Sequence, residues 1–249
     1  MIQKRLFLPF VVVALLLLVS PVLAGGWSVA TLDELPECVT VGEPLTIGFV
    51  VRQHGIRIVE GLTPEITAVH QDSRESIEVT VEEDEAGHYV AELTFPSDGI
   101  WEWSVNAFGP EQSLPALTVL PASASDIEET TVSDSLSSAE KASLEIQQGA
   151  ALFVAKGCIV CHQHNDLNVG EYESIAVGPE LTTYSENPDF LHKWLEDPSA
   201  LKPSAAMPTL DLSDDEIEAL IAFLNAEEPE DFSQVVIPSQ CKAQIAASK

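Results

Sequence analysis

The sequence predicts two domains of different class: an antiparallel β-sandwich over residues 26–120 and an all-helical domain over residues 138–232. Three observations carry this division. Apolar residues alternate with period two through the front half, and a helical period takes over from Ser138. Between them, "PASASDIEETTVSDSLS" (121–137) is small, polar and acidic without apolar periodicity, which reads as a flexible linker. The chain of 249 residues is long enough for two modest domains.

Residues 1–24 precede both domains. Lys4 and Arg5 stand ahead of an apolar run from Phe7, and small residues surround Ala24, as in an export signal cut after that residue. The rival is an uncleaved anchor: Phe7 to Ala24 is 18 residues, the lower edge of a spanning length, interrupted by Pro9 and Pro21. Either way the remainder is expected outside the cytoplasm, with membrane association through the N-terminal segment if it is retained. The net charge is −29, and losing the two bases of residues 1–24, which hold no acid, takes it to −31. That excludes nucleic acid as a partner and disfavours anionic lipid surfaces.

In the front domain, "EPLTIGFVV" sets Leu45, Ile47, Phe49 and Val51 on one face, and "SIEVTVEE" does the same with Ile77, Val79 and Val81. "HYVAELTF" alternates Tyr89, Ala91, Leu93 and Phe95; "GIWEWSVNA" alternates Trp101, Trp103 and Val105. "EDEAGH" and "PSDG" supply turn chemistry between strands.

In the second domain, Ser137 with Glu140 predicts a capping box ahead of "KASLEIQQGAALFVAKG". Asn187-Pro188 predicts an N-cap and first-turn proline before "DFLHKWLEDP". Ser213 with Glu216 caps a last helix whose Ile217, Leu220, Ile221 and Leu224 form one stripe. Residues 233–249 are left as a C-terminal tail.

Just past the first of these helices lies Cys158-Ile-Val-Cys161-His162. Two cysteines three apart on a helical turn can each add to one vinyl group of the same porphyrin, with the next imidazole facing the iron. The spacing therefore reads as covalent attachment of one haem c. Zinc would normally need a second ligand pair, and none is seen; a thiol-redox pair would want a βαβ setting. Downstream, Met207 is the only methionine outside the leader, in the Pro-flanked "KPSAAMP" 45 residues after His162. A thioether from such a loop is the expected second axial ligand, opposite His162.

These residues resemble the class I mono-haem cytochromes c, from residue 138 to about 226. Gly149 and Phe153 are similar to that family's small-plus-aromatic pair on the first helix, which packs on the last helix, here through Leu220 and Phe223. "VGPEL" is similar to the segment whose proline carbonyl, here Pro179, accepts the proton of the axial histidine. Trp194, 13 residues before Met207, matches the aromatic bordering the haem on the methionine side. The chain departs from the family at Pro203-Ser204-Ala205, where many members have Pro-Gly-Thr. It also lacks the lysine ring of mitochondrial-type members, with 18 acids against 4 bases from 141 to 231.

In the front domain, "VVRQHGIRIVEGLTP" and "GHYVAELTFPSDGIWEWSV" more loosely resemble the YtkA-like and FixH-like immunoglobulin-like domains over roughly residues 27–120, and some of those relatives are linked to oxidase assembly or copper. Copper(I) sites favour Met and Cys, and this domain has no Met; His54, His70 and His88 are available as ligands. The expected role is a spacer or docking module. His164 is expected on the surface, and His192 is the rival sixth ligand. Cys38 and Cys241 either pair, tying the tail to the β-domain, or stay separate thiols. The function expected is an exported single-electron carrier, not an enzyme, docking on redox partners with a basic face. The alternatives are a haem-bearing subunit or assembly factor of a membrane respiratory oxidoreductase, or a haem sensor or peroxidase-like protein from which Met207 departs.

Overall fold

Alternating residues of the front half fold into eleven strands: β1 (Ser28–Leu32), β2 (Val39–Thr40), β3 (Pro44–Gln53), β4 (Arg57–Ile58), β5 (Glu65–His70), β6 (Ser76–Thr80), β7 (Glu82–Glu85), β8 (His88–Thr94), β9 (Gly99–Asn106), β10 (Gln112–Ser113) and β11 (Leu117–Leu120). The structure, a computed structural model, describes residues 26–36, 39–122, 137–167 and 175–226. The leader, most of the linker, the tail, and both Cys38 and Cys241 lie outside the described residues, and so does their proposed pairing.

The strands make two sheets. One runs β1-β3-β8-β7 with β4 on β3; the other runs β2-β11-β9-β5-β6 with β10 on β9. Within the described residues every pairing is antiparallel except β2 with β11. One apolar core lies between the sheets, and the predicted faces fill it: Ile47, Phe49 and Val51 from β3, Tyr89, Ala91 and Leu93 from β8, Trp101, Trp103 and Val105 from β9. Burial of this kind contributes roughly 1.5–3 kcal/mol per large side chain.

Five helices follow: α1 (Ser138–Ala155), α2 (Cys158–Cys161), α3 (Pro188–Glu196), α4 (Pro198–Leu201) and α5 (Asp214–Leu224). Both predicted capping boxes form, at Ser137/Glu140 and Ser213/Glu216. Asn187 caps α3 through the Phe190 amide, with Pro188 in the first turn. α1 and α5 cross in close contact at Gly149. A Cβ there would run into the Ala219 carbonyl oxygen and Phe223 Cβ, so only glycine lets the backbones meet. Beside that crossing the Phe153 and Phe223 rings sit 5.5 Å apart, the packing expected of this pair.

The two domains touch. β1 is buried along its whole length: Ala30 and Leu32 enter the sheet core, while Val29 enters the helical core. The first strand of the front domain is thus shared between the two cores.

Candidate haem site

The site begins where α1 ends. Gly157 follows the Lys156 C-cap with φ +77, a left-handed turn that suits glycine and starts α2 at once. One helical turn then sets Cys158 and Cys161 three apart on one side. Both thiols are free. Burial pushes the Cys158 thiol up to about 12, helped by its neighbour Cys161, and burial also raises Cys161. A structural zinc site takes four ligands, and among the described residues no group of three metal-ligating side chains occurs; the pair also sits among helices and not in the βαβ setting of a thiol-redox motif.

His162 closes α2, its amide bonded to the Cys158 carbonyl at 2.8 Å. Its Nδ1–H donates to the Pro179 carbonyl oxygen at 2.9 Å, the bond expected of Pro179. Burial holds the imidazole below its ordinary pKa, against the raising effect of that bond. The ring is therefore neutral near pH 7, with Nε2 unprotonated and able to ligate. Gly178 lies against the ring face, where a Cβ would run into the imidazole.

Across the cavity, Trp194 Nε1–H donates to Met207 Sδ at 3.2 Å. α3 supplies the tryptophan, and the loop after α4 supplies the methionine. Cys158, Cys161, His162, Pro179, Trp194 and Met207 all line one cavity of about 690 Å³ with mostly apolar walls. Two inward thiols, one neutral imidazole and one thioether on an apolar slot are a donor set suited to a thioether-linked iron porphyrin. The residues fit that group.

Other sequence expectations fare differently. His192 is not among the cavity's lining residues; it lies on an outer groove beside Glu145 and Glu218, with Nε2 3.8 Å from Asp214 Oδ1. That removes the support for it as rival sixth ligand. His164 is not a surface residue: it is 6% exposed, its ring 4.6 Å from Phe223 and 5.8 Å from Phe153. The chain turns inward between exposed Gln163 and Asn165, and the ring fills the end of the α1–α5 contact. Its flat apolar edges suit that aromatic niche, although Nδ1 has no partner there. The three β-domain histidines are scattered. His70 bonds the Asp98 carbonyl and the Asp72 and Ser73 amides; His88 lies between Asp33 and Asp84; His54 packs at a tilt against Trp27. Among the described residues no group of three metal-ligating side chains occurs.

Sequence reasoning missed a set of site residues altogether. Trp27, Val29, Thr31, His54, Gly55 and Ile56, all from the β-domain, line the same cavity. No motif marks them, and only the tertiary contact of the domains brings them there.

Among the described residues no helix is long and apolar enough to cross a membrane. Comparison with curated proteins finds no match. Solved structures similar to part of the chain include a Bacteroides vulgatus protein assigned as a glycoside hydrolase (16% identity, 38% of this chain, 17% of that one, TM-score 0.27). Others are domains 4 and 5 of the S-layer protein SbsC (12%, 39% and 54%, 0.27) and a Pyrococcus furiosus CARDB domain solved with two metal ions (8%, 39% and 90%, 0.25). The chain spans well under two thirds of the first two, and likeness at this level carries no argument. The family comparison bears on the cavity itself. Residues 146–227, which contain both cysteines, His162, Pro179, Trp194 and Met207, match the family described as Cytochrome c, so this segment is a cytochrome c domain, and that family implies a covalently bound haem c.

Proposed function

We propose that the chain is an exported carrier of single electrons, using one haem c bound through Cys158 and Cys161, with His162 and Met207 as axial ligands. A haem so held supplies a one-electron ferric/ferrous couple. The chain's own residues do the rest. Pro179 holds the His162 tautomer through the 2.9 Å bond, which keeps Nε2 aimed and basic. Trp194 orients the Met207 sulfur. The apolar walls exclude water, so little reorganisation accompanies a change of charge. With haem bound, His162 and Met207 would both be held on the iron and leave no position open to substrate, so no enzymatic activity of its own is expected.

One observation carries this reading: the bonded His162 ring and the Met207 thioether line the same cavity as both thiols. The acidic balance of residues 141–231, 18 acids to 4 bases, supports docking on a basic-faced redox partner. The two sheets around one core support an immunoglobulin-like sandwich in front.

The test is the optical spectrum of the haem-loaded chain, wild type against Met207→Ala. Methionine ligation gives the ferric protein a weak red-end charge-transfer band that the mutant loses. A wild type without the band, unchanged by the mutation, sinks the His162/Met207 assignment.

A further inference from the structure

We propose that the β-domain is a structural wall of the haem pocket, and that its β3–β4 turn seals the edge beside Cys161 and so raises the reduction potential. The proposal rests on the haem reading above and gives the front domain a task that neither a spacer nor a metal-carrying module would have.

The contact is specific at the backbone level. The turn between β3 and β4 carries His54 at φ 57 and Gly55 at φ 72, closed by the Ile56 amide on the Gln53 carbonyl at 3.1 Å. A Cβ on Gly55 would sit 3.3 Å from Cys161 Sγ. A side chain there would crowd the thiol, so the turn packs closely against Cys161. On the other side, a Cβ on Gly157 would press into Val29 Cγ1, with the Ala30 carbonyl 3.2 Å away. Thus β1 lies directly on the residue before Cys158, and the turn lies on Cys161. Both haem-attaching residues are buttressed by the β-domain.

A polar latch fixes the arrangement. Lys156, 3% exposed, pairs with Glu216 Oε1 at 2.7 Å and donates to the Asp33 carbonyl of the β-domain at 2.8 Å. The Trp27 and His54 rings meet at a 44° tilt with centroids 4.4 Å apart at the cavity wall, and Ile56, which also lines the cavity, is 56% exposed.

The consequence follows from charge. Ferric haem carries one more positive charge than ferrous, and surroundings of low dielectric disfavour the more charged form. Burial is one of the protein's levers on haem potential. An edge covered by Trp27, Gly55 and Ile56 instead of water therefore favours the ferrous state.

Two measurements on the full-length haem-loaded chain test this. In the first, nitrogen-15 spectra of ferric and ferrous protein are compared, because the unpaired electron of ferric haem shifts only nearby nuclei. The amides of Val29, Gly55 and Ile56 and the Trp27 indole are expected to shift most within the β-domain, with those of Glu78 and Thr80 unmoved. In the second, Ile56→Ser should lower the midpoint potential while keeping the methionine–iron band. Ile58→Ser, on the same hairpin but not lining the cavity, should leave the potential unchanged. Redox-insensitive resonances at Gly55 and Trp27, or equal potentials for Ile56→Ser and wild type, overturn the proposal. A chain that takes up no haem overturns the reading beneath it as well, and its missing visible spectrum tells the two failures apart.

Discussion

Lys156→Met offers the sharpest test of how the domains are joined. The lysine is the C-cap of α1 and reaches both Glu216 on α5 and the Asp33 carbonyl. Methionine keeps the apolar stem and removes the charge. Stripping one partner from a buried ion pair costs about 3–5 kcal/mol, because the other charge stays behind. Glu216 keeps 17% exposure and a second bond from the Ser213 amide at 3.0 Å, which argues for the low end of that range. The orphaned Asp33 carbonyl adds about 1 kcal/mol. The expected loss is therefore ~3–4 kcal/mol, or about 10 °C in melting temperature for a unit of this size. Unfolding of the haem-loaded chain in denaturant, followed by far-ultraviolet dichroism and by haem absorbance, reads it out. The two probes should shift together, since the latch ties both cores. Adding Glu216→Gln should restore about 1–2 kcal/mol by removing the unpaired carboxylate. A single mutant within about 0.5 kcal/mol of wild type, or a double mutant no better than the single, would refute the buried-latch argument.

The remaining predictions are quicker to state. In a solvated helix Gly149→Ala gains about 1 kcal/mol of helix propensity; here its Cβ meets α5, so a net loss of about 1–2 kcal/mol is expected, and a stabilised mutant would contradict the close crossing. His88 has Nε2 2.8 Å from Asp33 and Nδ1 2.5 Å from Asp84. Burial pulls its pKa down, but the two carboxylates outweigh that and raise it. Its folded pKa thus exceeds the unfolded value of about 6.5, so its contribution is complete below that pH and is lost as pH rises through the folded value. The stability gap between wild type and His88→Asn should be wider at about pH 6 than at about pH 8.5; an equal gap at both sinks the assignment. Trp194→Phe keeps the ring beside Phe190 and removes the donor to Met207. In the proposed ligation, a sulfur freed of that bond would donate more strongly to ferric iron, so potentiometry should find a lower midpoint, and an unchanged one would show the bond is idle. Finally, electron transfer to a lysine-rich cytochrome should slow as ionic strength rises, whereas a flat rate counts against electrostatic docking.

Much of the helical half was legible in the sequence because its signals are local. A capping box spans four residues, and Cys158, Cys161 and His162 occupy little more than one turn. Gly149 and Trp194 were recognised through a family resemblance; by periodicity alone a helical glycine would be an ordinary weak point. The strands with one face to the core and one to solvent were equally plain, as in β8, where buried Tyr89, Ala91 and Leu93 alternate with more exposed neighbours. His164 was misjudged because its neighbours Gln163 and Asn165 are polar and exposed, and nothing nearby in sequence announces the aromatic niche made by Phe153 and Phe223.

β1 was missed for a more instructive reason. Alternation marks a strand only when its two faces meet different media. In Ser28–Leu32 every residue is buried, because Ala30 and Leu32 face one core while Val29 and Thr31 face the other domain and its cavity. A strand that serves two cores loses its period-two signature at the place where the domains join. The same contact leaves the charge balance of the helical domain as it was. Lys156 is buried, but it takes the Glu216 carboxylate with it as an ion pair, so an approaching partner still meets an acidic face on which Lys141, Lys193 and Lys202 are the exposed bases between 141 and 231. The front domain therefore acts on the helical domain through packing, at the turn beside Cys161, and not by altering its charge.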